Sequence, residues 1–450
     1  MTIRAVTFTL VLCAGTSAAS AQSSEAPAAK RLTLGEAVDL ALAHDHAVRL
    51  AHLWVEQKAR VEEVAKSGYF PQVRNETTVL HLTDTQLVAV PAGSFGLVGT
   101  TQIPSQTIVL NQGGVTPITN GTGVVQPLTQ LFRVRAANDI ARADTEAARG
   151  KARGLEDETA LKVRQIYYRI LIADVRRRAM LARIQASDDL QRERVQQVRY
   201  GSALEADLLE SRAHALQARQ ELLTTEIQRS DLQLQLNDII GLPLTTPLVL
   251  DPDVPANGGL ERCAREACVR EALDAHPDIA EARARVDQAA SAVRFAKYDL
   301  IPDVEAFGRY SFQNNVPFLA ERFGTVGIRA SIDLFDGGRK RATVRERQTQ
   351  LAQAKENLAR ISDGVELRVQ TAYNKMDRTR EMVAVSQELL ALRGESRRVA
   401  TMRLANGEAL GSQAKDSAAQ ELEAQAALLQ SQLDYVQAAD EMDAAIGRRP

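Results

Sequence analysis

Arg133-Val134-Arg135-Ala136-Ala137-Asn138-Asp139-Ile140 opens a stretch that runs without proline to Gln196-Gln197-Val198-Arg199. It is dominated by Ala, Arg, Glu, Gln and Leu, all strong helix formers, with Gly150 and Gly154 as interruptions. A single helix over 133–199 extends for roughly 100 Å at 1.5 Å per residue, several times the diameter of a small domain. No compact globule accommodates such a rod, so the composition predicts a column, a bundle or a tube. A second rod spans residues 338–404, and each rod ends at a glycine-bearing tip, Tyr200-Gly201 and Asn406-Gly407.

The surrounding composition fits long, closely packed helices: aromatic residues are only 4% of the chain. Charges nearly cancel, 55 Lys and Arg against 57 Asp and Glu, so nothing points to nucleic acid as a partner. Residues 1–21 read as a secretory signal peptide, with Arg4 before an apolar run and Ala19-Ser20-Ala21 ahead of the cut. Leu12 before Cys13 argues against lipidation. Residues 22–32 are expected to form a flexible tail.

The first half is expected to span 33–242. It begins with a helix to about Lys66, where apolar residues recur at three- and four-residue spacing, and Pro71 stops it. From Thr85 to Phe132 there is no Asp, Glu, Lys or Arg; Thr, Val, Gly, Gln and Pro dominate, the mixture of strands and turns. This predicts a β-hairpin over 72–131, with strands from Gln72 to about Thr83 and from about Gly123 to Leu131 around a broad loop. The long helix 133–199, the tip and a helix over 204–240 follow. In the last, Leu209, Leu216 and Leu223 recur every seven residues, which suits a bundle seam. A Pro- and Gly-rich linker occupies 243–261.

Residues 262–450 repeat the plan: helix, hairpin 303–334, long helix 338–404, tip, helix 408–447. Pro71-x-Val73 matches Pro302-x-Val304, Tyr168 matches Tyr373, Gly201 matches Gly407 and Gly241 matches Gly447. The chain is a tandem duplication. In the second hairpin Val304, Ala306, Gly308, Tyr310 and Phe312 alternate with residues that include Asp303, Glu305, Arg309 and Ser311. Val326, Ile328, Ala330 and Ile332 alternate with Thr325, Gly327, Arg329 and Ser331. Period-two alternation over about ten residues is expected of a tilted membrane strand with one face to lipid. A half-buried strand of a soluble sandwich alternates too. Strands in lipid leave no unpaired edge, and four strands are fewer than the roughly eight a membrane barrel needs, so a membrane reading requires several copies to share one barrel.

Several short motifs give these features a family resemblance. They are Leu32-Thr-Leu-Gly-Glu-Ala-Val38, Ala65-Lys-Ser-Gly-Tyr-Phe-Pro-Gln72, Gln126-Pro-Leu128, Ile332-Asp-Leu-Phe-Asp-Gly-Gly338, Tyr200-Gly201, Asn406-Gly407 and Gly241-Leu-Pro243. In order and duplication, they resemble the TolC family of outer-membrane channel proteins. The resemblance implies a mainly α protein with membrane β: a homotrimer whose long-helix hairpins form a twelve-helix α-barrel in the periplasm. That barrel continues into a twelve-stranded β-barrel in outer-membrane lipid, four strands per chain. It further implies a passive exit channel of a tripartite efflux pump or type I secretion system. The partners are a periplasmic adaptor (membrane fusion) protein and an inner-membrane RND, ABC or MFS transporter. A periplasmic coiled-coil scaffold or adaptor without a membrane barrel is the alternative.

The resemblance also assigns sites. Asp207 and Asp416 fall at periplasmic gate positions, and Gln413 lies where a further carboxylate often stands. Tyr200, Gly201, Asn406 and Gly407 form the helix-tip turns that meet the adaptor. Cys263 and Cys268 form a disulfide only if Cys263 precedes its helix, because residues five apart on one helix face away from each other. No metal-ligand spacing, acid–base pair or cofactor motif stands out, and Ser94 in Ala92-Gly-Ser-Phe-Gly96 reads as a loop serine. The expectation is a protein without enzyme activity, cofactor or metal.

Overall fold

The computed structural model describes residues 30–84, 87–111, 115–252, 263–314, 316 and 320–449; the expected signal peptide lies outside them. In chain order β1 (Lys30–Leu32), α1 (Leu34–His44) and α2 (His46–Ser67) precede β2 (Gln72–Val79). Then come β3 (Leu87–Val90), β4 (Leu97–Val98), β5 (Thr101–Gln102), β6 (Ile108–Asn111) and β7 (Ile118–Pro127). The long α3 (Leu131–Arg199) turns into α4 (Glu205–Ile239), and β8 (Leu248–Leu250) leads to α5 (Arg265–Ala275) and α6 (Pro277–Tyr298). The second hairpin, β9 (Asp303–Asn314) and β10 (Arg322–Ser331), leads into α7 (Arg339–Ala405) and α8 (Gly411–Ile446). Among the described residues no helix is long and apolar enough to cross a membrane.

The helices form one layer. Beside the sheet, α2 packs on α3, α3 on α6 and α6 on α7; beyond it α4 packs on α3, α3 on α8 and α8 on α7. The two rods run through both sections while shorter helices flank them in turn. Small side chains allow the close approach: Ala136, Ala147, Ala160, Ala218, Ala419 and Ala438 are all buried. Gly150 has the same purpose. A Cβ there would stand 3.0 Å from the backbone nitrogen of Glu281, so the backbone of α6 occupies that space.

Local chemistry sets the breaks. The expected first helix is interrupted at Asp45, whose Oδ1 accepts the amides of Ala47 (2.7 Å) and Val48 (3.0 Å) and starts α2 afresh. At the equivalent point of the second half the His276 Nδ1 accepts the Asp278 amide at 3.1 Å, with Pro277 at the first helical position. Both long rods end alike. Gly201 (φ 73°) donates to the Val198 carbonyl and Ser202 to that of Gln197; Gly407 (φ 75°) donates to Leu404 and Glu408 to Arg403. These are paired Schellman closures, which need the left-handed backbone that glycine adopts without strain.

Two expectations are corrected. The flexible tail is ordered by residue 30: β1 pairs in parallel with β8, drawn from the expected linker, in the register Lys30–Leu248 to Leu32–Leu250. Burial of Leu32, Leu248 and Leu250 drives this, and the Tyr167 hydroxyl bridges the carbonyls of Leu32 (3.0 Å) and Asp251 (2.9 Å). The first hairpin, too, is displaced, since its return strand is Ile118–Pro127 instead of 123–131. Past Pro127 the chain bonds sideways, Leu128 N–H to Val304 O at 2.9 Å, and enters α3 by Leu131. The broad loop contains two small ribbons, β3 with β6 and β4 with β5.

Candidate functional site

The four main strands form one antiparallel sheet in the order β10-β9-β7-β2, with β10 and β2 as unpaired edges among the described residues. Strand register separates its two faces. One row runs Val326, Gly308, Val124, Val73 and the next Ile328, Ala306, Gln126. This face is uncovered: Val326 is 89% and Ile328 73% exposed. Further along the same face, polar side chains of the first hairpin satisfy one another. Asn75 Nδ2 donates to Thr122 Oγ1 at 2.8 Å and Asn120 Nδ2 to Thr77 Oγ1 at 2.6 Å. The opposite face carries the charges Arg74, Glu76, Glu305, Arg309 and Arg329. Where strands meet helices, Phe70, Phe132, Leu334 and Phe335 stand exposed.

At the far end of the rods Tyr200 is 80% exposed beside Gly201, and Asn406 and Gly407 form the matching second turn. The expected gate residues Asp207, Gln413 and Asp416 lie near these tips, and the side chains of Asp207 and Asp416 bond within their own helices. Asp207 Oδ2 accepts the Leu204 amide at 3.1 Å, a capping contact at the start of α4. Gln413 occupies the equivalent position on α8, where its backbone N–H donates to the Leu410 carbonyl. Asp416 Oδ2 accepts from Gln420 Nε2 at 2.8 Å.

Other residues make the links between helices. Asp189 on α3 bonds Lys415 on α8 and Arg192 on its own helix. The Lys415 ammonium holds the Asp189 carboxyl below the usual carboxylate range. Glu193 Oε2 accepts the Ser412 amide at 3.3 Å, Arg183 bonds Glu423 at 3.0 Å and Arg176 bonds Gln430 at 2.8 Å, so the tip-side half of α3 is tied to α8 by four contacts. Asp188 with Arg219 (2.9 Å) and Arg177 with Glu226 (3.1 Å) tie α3 to α4. None of the pairs between helices is visible as a local motif; each depends on a lateral register set by packing.

Cys263 precedes α5, and its sulfur is bonded to that of Cys268, with Cα atoms 5.6 Å apart. Cys268 is buried against Val365, Val369 and Met442. Among the described residues no group of three or more His, Cys, Asp or Glu could hold a metal ion.

Comparison with known proteins agrees with this architecture. A family model described as outer membrane efflux protein matches residues 268–448. Protein CyaE of Bordetella pertussis is 27% identical over 348 residues, 74% of this chain and 67% of that protein. A membrane protein from Pseudomonas aeruginosa superposes with a TM-score of 0.74 at 18% identity, covering 92% of this chain and 90% of the other. The Campylobacter jejuni CmeC outer membrane channel superposes at 0.72 with 15% identity, covering 92% and 85%. At such identities the structural likeness establishes the fold.

Proposed function

We propose, from the match of residues 268–448 to the outer membrane efflux protein family, that this chain is the exit duct of a tripartite efflux or secretion machine. Three copies join edge to edge and conduct solutes passively through a helical tunnel and a shared barrel. One observation carries this reading: the sheet is open at β2 and β10 while its outer face presents Val326 and Ile328. A sheet in hydrocarbon keeps no free edge, because lipid supplies no hydrogen-bond partners. Joining β10 of one copy to β2 of the next satisfies both edges, and three copies of four strands make a barrel of twelve. The exposed Phe70, Phe132 and Phe335 suit an aromatic girdle at the membrane interface.

The helices support the same closure. Leu209, Leu216 and Leu223 are 59%, 64% and 60% exposed on α4, one edge of the layer; Val385 and Leu392 are 67% and 63% exposed on α7, the other. Among the described residues the heptad seam has no partner inside one chain, and it finds one on the next. The surface totals 29509 Å², against about 17,000 Å² for a globular monomer of 49.1 kDa. The tips Tyr200-Gly201 and Asn406-Gly407 then receive a periplasmic adaptor. Asp207, Gln413 and Asp416 line the mouth, with the links from α3 to α8 as the closed-state lock.

Reconstitution into planar lipid bilayers tests the reading. Discrete conductance steps are expected from the detergent-purified oligomer; an assembled oligomer that leaves the bilayer silent overturns it.

A further inference from the structure

The charged face of the sheet holds an arrangement that conduction alone does not require. Thr325, Arg309, Gly123 and Arg74 are aligned in register across β10, β9, β7 and β2. Arg309 and Arg74 therefore flank β7 from both sides, and the strand between them is bare. It carries Gly123 in their own row and Gly121 in the next. The Arg309 guanidinium lies across Gly121: a Cβ there would stand 2.5 Å from Nε and 2.9 Å from Cζ. Any other residue at 121 displaces it.

The neighbouring charges are accounted for differently. Arg329 bonds Glu305 at 2.9 Å and lies 5.1 Å from the centre of the Phe307 ring. Asp303 lies 3.9 Å from Arg133 at the foot of the sheet. Glu76 faces the same side one row along, in register with Gly121. Among the described residues Arg74 and Arg309 have no side-chain hydrogen bond or ion pair, so this row carries two uncompensated guanidinium groups against the single carboxylate of Glu76. Guanidinium stays charged at every physiological pH and presents a fork that suits oxyanions. A pore with low-dielectric walls focuses such a field on whatever passes.

We propose that Arg74 and Arg309 form an anion-binding belt on the lumenal face of the sheet, recognising solutes that carry several phosphate or carboxylate groups. This rests on the duct reading, which places three copies around one lumen and so brings six guanidinium groups into one belt. On that reading the opposite face, which presents Val326 and Ile328, meets lipid, so the ligand is a passing solute and not a headgroup.

The test uses tripolyphosphate as probe on the full-length oligomer in two formats: calorimetric binding in detergent, and block of conductance with reversal potential in bilayers. Wild type is expected to bind the probe and to be blocked by it. Arg74→Gln and Arg309→Gln each raise the half-blocking concentration, together by about tenfold or more, and shift the reversal potential toward cations. Arg309→Lys restores much of the effect. Arg322→Gln leaves it unchanged, since Arg322 lies on the other face over Phe312. Absent binding to wild type, or binding and block unaltered in both glutamine variants, overturns the belt. A silent bilayer with binding intact and lost in the variants would count against the duct and leave the belt standing.

Discussion

Tyr168 on α3 donates its hydroxyl to Oδ2 of Asp440 on α8 at 2.7 Å, joining the two halves of the chain through a pair buried on both sides. Arg164 adds a contact to Oδ1 at 3.3 Å. Burial drives the Asp440 carboxyl above its ordinary value, and the Tyr168 and Arg164 donors pull it back. Its equivalent by sequence, Tyr373, is only partly buried, with the Arg265 guanidinium 4.7 Å from its ring centre. The duplication has diverged in chemistry while keeping its geometry. Tyr168→Phe is expected to destabilise the protein by about 1.5–3 kcal/mol, the worth of a hydrogen bond to a charged group. Denaturant unfolding in detergent measures it; an unchanged midpoint would mean that Arg164 alone suffices.

His276 gives the fold an acid-sensitive joint. Its imidazole is buried, which lowers its pKa from 6.5; Asp278 opposes that shift and Arg368 adds to it. The folded state therefore favours the neutral ring that accepts the Asp278 amide. Its stabilising contribution is fully present above pH about 6.5 and is lost as pH falls from there through the lowered folded value. His276→Asn keeps a cap that does not titrate. Thermal scans between pH 7.5 and about 5 should show a shallower decline for that variant than for wild type.

On the proposed duct reading, the tip links bias the channel toward closure. Asp189→Ala frees Lys415 and Arg192 in every copy. An exposed ion pair contributes about 0.5 kcal/mol, so three copies together shift the open population by roughly tenfold. Single-channel recording should register a higher open probability, and an unaltered one would remove Asp189 from the lock.

Asp416 tests the mouth separately. Among the described residues it makes no hydrogen bond or ion pair to another helix; its carboxylate accepts from Gln420 of its own. Asp416→Ala is expected to lower the cation preference of the conductance without changing open probability. Unchanged selectivity would take it off the pore lining.

The proposed oligomer is expected to depend on the exposed α4 seam. Leu216→Glu puts a charge where a second copy's apolar side chain is expected, and light scattering should find monomers or unstable assemblies. Deleting residues 94–115, in contrast, removes β4, β5 and β6 and leaves β2, β7, β9 and β10 whole, so the oligomer should persist.

Much of this protein was legible as a sequence because its signals are local and periodic. Proline-free helix formers from Arg133 to Arg199 require a rod, and glycines at 201, 241, 407 and 447 close helices by the same backbone rule wherever they sit. Alternation from Val304 to Phe312 and from Val326 to Ala330 assigns sides to the strands without any knowledge of their neighbours. The break at Asp45 is hidden in the sequence although its cause is local, because the apolar periodicity continues across it while one carboxylate captures two amides. What tertiary structure alone decided depends on lateral register between segments remote in sequence. That register brings β1 to β8, Asp189 to Lys415, and Arg74 level with Arg309 across a strand of glycines. Spacing along one helix or strand specifies which face a side chain occupies; only packing between elements specifies what it meets there.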